Sequence, residues 1–203
     1  MCYAFKQLEH PNWKNTNMIK AFDYNADALT KKTISTTDAE SIAYEIVTAC
    51  IKNGTDKFRI ESFGDIHNVI HAHNYWLICA YVAKLSEVLN YHVCVAWWTK
   101  NYDFMCDAFS DLSEDIKAWA RKNTSVVLSS VFVNVPISEK IVAYVESILG
   151  MKVKTFTVYS EDYITEHNIR INCGSRDCNG CGNCYKKLEN DISAEKNVNE
   201  KLK

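Results

Sequence analysis

Four cysteines fall within twelve residues, in the stretch "CGSRDCNGCGNC" at 173–184. Cys173, Cys178, Cys181 and Cys184 follow the spacing C-x4-C-x2-C-x2-C. Thiolates with two residues between them can converge on one metal centre. The interleaved Gly174, Asn179, Gly180, Gly182 and Asn183 tolerate the positive φ that so tight a wrap needs. Four thiols this close with no metal would oxidise readily. Successive x2 steps match the start of the bacterial ferredoxin run for a [4Fe–4S] cluster, whereas structural zinc takes two pairs with a longer spacer. Iron–sulfur is therefore favoured, with zinc as the alternative. The ferredoxin pattern calls for a further cysteine three residues later and then Pro. Tyr185-Lys186-Lys187 stand there instead, so Cys173, or Cys2 from the other end of the chain, must complete the ligand set.

The elements that position this run come from an ordinary composition. The chain has 203 residues, 47% of them hydrophobic, enough for one sizeable core. Its 23 basic and 25 acidic residues leave a formal net charge of −2, which does not indicate a protein held on nucleic acid by bulk charge. No apolar run approaches the roughly 20 residues of a membrane helix, and "MCYAFKQLEHPNWKN" has no signal-peptide core. A cytoplasmic setting is expected, and with it free thiols in place of a disulfide framework. Of the nine cysteines, Cys50, Cys79, Cys94 and Cys106 sit in apolar patterns and read as small buried hydrophobes.

Strands are predicted at 57–63, 92–100, 125–134 and 152–160, the last at an edge. Amphipathic helices are predicted over 40–53, 74–90, 112–121 and 139–149. Thr37 with Glu40, Asn74, Asp111 with Glu114, and Ser138 are read as their caps, and Gly150 as a stop. This order predicts an α/β fold: right-handed crossovers building a partial open barrel or small parallel sheet of about four strands, with a Cys-rich C-terminal metal segment. Residues 1–172 form the α/β domain, 173–185 the metal segment of the same domain, and 186–203 a polar tail read as frayed or disordered.

Parallel sheets bind ligands beyond the carboxyl ends of their strands. That rule selects Ser62, Gly64 and Asp65 after the first strand, and Thr99, Lys100 and Asn101 after the second. Ser129, Ser130 and Asn134 follow in the third, and Ser160 and Glu161 after the fourth. Asp65 and Lys100 are the pair able to exchange protons with a polar substrate, and the metal centre is expected at the same rim. His67, His71 and His73 read as a surface loop.

The segments "CYAFK" at the N-terminus, "FRIESFGDI" at 58–66, "WWTKN" at 97–101 and "CNGCGNCY" at 178–185 resemble the phage "gene product 88" family over nearly the whole chain. The resemblance implies a phage or prophage origin. It places the family's R…GD on Arg59, Gly64 and Asp65, its TK on Thr99 and Lys100, and its CxxCGxC on Cys178, Cys181 and Cys184. It also implies that Cys2 leads a helix into the fold and comes close to the other cysteines. The architecture is more distantly similar to the partial barrels of radical S-adenosylmethionine enzymes, whose C-x3-C-x2-C is absent here.

Two functions follow as expectations. One is a metal centre supporting an enzymatic or redox activity on an unidentified small-molecule or macromolecular ligand. The other is a non-catalytic binding protein whose zinc or iron–sulfur centre is a structural staple.

Overall fold

The computed structural model describes residues 24–25, 27–60, 65–174 and 178–202, without the side chains of 178 and 179. Helix α1 (Thr36–Lys52) is followed by β1 (Lys57–Ile60), α2 (Val69–Val88) and β2 (Cys94–Thr99). Then come α3 (Tyr102–Ser110), α4 (Glu114–Asn123), β3 (Thr124–Ser129), α5 (Glu139–Leu149) and β4 (Lys154–Tyr159). The C-terminal part holds α6 (Glu161–His167), the short α7 (Cys178–Cys181), a 3-10 turn (Asn183–Tyr185) and β5 (Asn197–Lys201). The strands form one five-stranded parallel sheet in the order β1-β2-β3-β4-β5.

Sequential order with right-handed crossovers puts the connecting helices on one face of a sheet. The side chains agree, since alternation along a strand sends neighbours to opposite faces. Ile60, Val95, Trp97, Val126 and Leu128 join the helix-side core. Within it, the Trp76 indole N–H donates to the Met105 carbonyl at 3.0 Å, and its ring meets Trp97 and Phe109 edge-on. Arg59, Cys94, Trp98, Ser125, Ser129, Lys154 and Phe156 point to the far face, where the 183–185 turn packs on β2 and β3.

Several expectations are corrected. The polar tail contributes a fifth strand: Asn197–Lys201 pairs in parallel with Thr155–Tyr159, Val198 being its one buried residue. The third strand stops at Ser129, and Val131, Phe132, Val133 and Val135 are exposed on the loop that follows. Helix α2 begins at Val69 behind the cap Asn68, which accepts the His71 N–H, so His71 is a buried helical residue and not part of a surface loop. Asn74 does not cap. It is buried, accepts the Ile34 N–H and donates to the carbonyls of Leu29 and Lys32, fastening the chain ahead of α1. The capping box of α1 is Ser35 with Asp38, not Thr37 with Glu40, and α4 is capped by Ser113, not Asp111. Helices α3 and α6 add to the predicted set. Among the described residues, no helix is long and apolar enough to cross a membrane.

Gly150 ends α5 as predicted, at φ 63°. A Cβ there would stand 3.1 Å from the Arg121 guanidinium, which itself donates to the Leu149 carbonyl. Gly150→Ala is expected to cost about 1–2 kcal/mol of stability in urea denaturation. Gly54→Ala, at φ 62° with open space around it, should cost less, because only the backbone term remains.

Candidate functional site

The two ends of the sheet carry different chemistry. At the carboxyl end, Asp65 meets the residues expected beside it. One carboxylate oxygen accepts the Thr99 hydroxyl at 2.6 Å and the Ile66 N–H at 2.8 Å; the other accepts the Lys100 N–H at 2.7 Å. Thr99 in turn accepts the Asn101 N–H, and the Asn101 amide donates to the Ile66 carbonyl. Asp65, Thr99, Lys100 and Asn101 are thus brought together at neighbouring strand ends, with the Asp65 carboxylate tying the turn after β2 to the chain after β1. The Lys100 side chain stays exposed.

Ser130 and Asn134 build the next loop. The Ser130 hydroxyl donates to the carbonyls of Phe132 and Val135. Asn134, at φ 65°, accepts the Ser160 N–H and donates to the Ser160 hydroxyl. Ser129 is buried at the end of β3 on the far face. There the Arg59 guanidinium carbon lies 4.2 Å from the Trp98 ring centroid, and the Trp98 ring lies 4.5 Å from that of Phe156. Ser62 and Gly64 fall outside the described residues.

The cysteine run sits elsewhere. Cys181 lines a cleft of about 470 Å³ with Asp56, His92, Cys94, Lys122 and Asn123, all at or just before the beginnings of β1, β2 and β3. Cys181 therefore lies at the amino ends of the strands, not at the carboxyl rim where the metal centre was expected. Gly182, at φ 65°, brings the backbone against Lys57. The segment is fastened by the Ser125 hydroxyl donating to the Lys186 carbonyl and by two lysines. Lys154 is 1% exposed and donates to the Asn183 carbonyl at 2.5 Å. Lys187 donates to the Arg121 carbonyl.

Burial holds both ammonium groups below the usual lysine range, and the Cys184 sulfur works against burial at Lys154. Cys94 is not the inert core residue expected. It is half-buried on the far face and lines the cleft. Burial raises its thiol pKa, Asp56 adds to the rise, and Lys57 and Lys187 oppose it. Alternation in "HVCVAWW" could have shown this, since it sets Cys94 opposite to the core residues Val95 and Trp97.

Cys173 sits beside β5. Its N–H donates to the Asn199 carbonyl, and it bridges Glu200 at the free edge of β5. Among the described residues no three His, Cys, Asp or Glu side chains gather as a metal would require, and no cysteine is in a disulfide. Cys2 and the Cys178 side chain fall outside the described residues.

The buried Lys154 ammonium gives a measurable consequence. Its folded pKa is depressed, so the unfolded chain binds the proton more readily. Stability from this group rises as pH climbs from the folded pKa toward the unfolded one, and the penalty is fully present below the folded pKa. Lys154→Met in the metal-free chain is expected to gain about 1–2 kcal/mol in urea denaturation near neutral pH and to show less rise in stability at alkaline pH. Compared with known proteins, the chain matches no family model, no curated protein and no solved structure.

Proposed function

We propose that Cys178, Cys181 and Cys184 hold a metal centre, a [4Fe–4S] cluster, in a phage- or prophage-type protein, and that the centre staples the C-terminal segment across the sheet. The observation that carries this reading is Lys154 beside Cys184. An ammonium taken out of water calls for an anion nearby. The Lys154 ammonium donates to the backbone and side-chain oxygens of Asn183, the Asp191 and Glu195 carboxylates also act on it, and thiolates of the run add negative charge beside it. Lys57 and Lys187 flank the same cleft. The donor set fits the group: thiols at x2 spacing, a short helix, and a glycine in the left-handed region between the last two of them.

Position favours a structural centre over a catalytic one. In parallel β/α barrels, chemistry gathers at the carboxyl ends of strands and stability at the amino ends, and Cys181 lies at the amino ends. When bound, the metal supplies cross-links between α7 and the 183–185 turn. Lys154, Lys187 and Ser125 anchor that unit to the sheet. The phage origin is supported by the sequence resemblance alone.

Anaerobic purification tests the reading. A brown protein containing iron and acid-labile sulfide is the expected result. A colourless protein with stoichiometric zinc would retain the staple and remove the cluster, and a metal-free protein would remove both.

A further inference from the structure

We propose that the carboxyl half of the far face binds a small oxyanion, a carboxylate or a phosphate, through Arg59 and Trp98. Two buried donors stand next to each other there with no acceptor among the described residues: Arg59 Nε and Trp98 Nε1. Within the same residues Arg59 has no ion pair and no hydrogen bond, only its stacking on the Trp98 ring. The lysines at the opposite end are provided for differently. Lys57 pairs with Asp56, Lys122 with Glu87 and Lys186 with Asp191.

Half-buried arginines ordinarily come with a carboxylate, and a buried N–H left unmade is costly. Two such groups side by side, near the carboxyl ends of β1 and β2, mark the place where parallel sheets take ligands. The arrangement is also preorganised. Stacking on Trp98 fixes the guanidinium plane, and the planar fork matches an oxyanion. The row Arg59–Trp98–Phe156 then offers a charged end and an aromatic floor for the ligand's carbon skeleton, with the Ser129 hydroxyl on the same face.

The test is calorimetric titration of the metal-loaded chain with inorganic phosphate and, separately, with benzoate, in chloride buffer at constant ionic strength. Saturable binding at one site per chain is expected for at least one of them; the better binder identifies a phosphate or a carboxylate head. Arg59→Met should weaken it about tenfold or more, the worth of a charge-assisted hydrogen bond, with metal content and Tm no lower than in the natural chain. Arg59→Lys should recover only part of the loss. Trp98→Phe keeps the ring, deletes the N–H and should weaken binding several-fold. No saturable binding of either anion, or unchanged affinity in Arg59→Met, overturns the proposal. Metal content measured in each variant separates a failure of the anion site from a failure of the cysteine run.

Discussion

Between about pH 6.5 and about pH 4, the natural chain should lose about 3 kcal/mol of stability that a His71→Gln chain keeps. The His71 side chain is 1% exposed, packed against Tyr75 with ring centroids 4.4 Å apart and stacked near His67. Burial pushes its pKa from the ordinary 6.5 down to about 4, and the neighbouring His67 charge adds to the effect. In the unfolded chain His71 takes up a proton near 6.5; in the folded chain it does so only near 4. Within that window the unfolded state binds more protons, so stability falls as pH falls, and below it both states are protonated. His73 is shifted the same way by burial, with Asp111 opposing, so only the difference between the two chains isolates His71. Urea denaturation of metal-free chains at about pH 7 and about pH 4.5 reads it without interference from metal release. An equal loss in both chains would show that His71 does not carry the acid sensitivity.

The helix-forming and strand-forming patterns that proved readable share one property: their apolar residues bury on a single, continuous core. The interiors of β2, β3 and β4 and the helical stripes over 40–52, 74–88 and 139–149 were legible for that reason. What periodicity does not show is held by polar pairing instead. Strand β5 reads "NVNEK", with one buried apolar residue, and it exists because its backbone pairs with β4 and because Thr155 donates to the Asn197 amide. The start of α2 was hidden in "HNVIHAH", where polar residues looked like a loop; burial of His71 and Asn74 under the chain ahead of α1 is a tertiary effect.

The loop after β3 misled in the opposite direction. "VFV" has the composition of a strand, yet Ser130 turns the chain, and Asn134 takes the left-handed conformation that holds the turn against Ser160. The candidate site divides along the same line. Which residues gather at the carboxyl rim followed from strand order, and Asp65, Thr99, Lys100 and Asn101 do meet. The destination of the cysteine run could not follow from order, because "CGSRDCNGCGNC" contains, among its described residues, no strand beyond the single bridge of Cys173 to Glu200. Its seat over the amino ends depends on Lys154 and Ser125 being there to receive it.

Replacing any one of Cys178, Cys181 and Cys184 by Ala should abolish metal retention and produce the largest loss of stability foreseen for this chain, several kcal/mol relative to the loaded protein. In the proposed centre each cysteine supplies one thiolate, and a centre missing a ligand loses the convergence on which its affinity depends. Removal also takes negative charge from beside the buried Lys154 ammonium, which keeps Asn183 and the field of Asp191 and Glu195, so the segment that covers the far face should loosen at the same time. Hydrogen exchange should report this as faster exchange at 183–187, and at the amino end of β4, than in the loaded chain. Lys154→Met combined with Cys184→Ala should be less destabilised than Cys184→Ala alone, because the uncompensated charge has gone. Cys173→Ala should keep its metal, since Cys173 belongs to the edge of β5. Cys94→Ala should lose much of it, since Cys94 lines the cleft with Cys181. Full metal content in any two of the Cys178, Cys181 and Cys184 variants would overturn the centre itself, while full loss in Cys173→Ala would make Cys173 the fourth ligand.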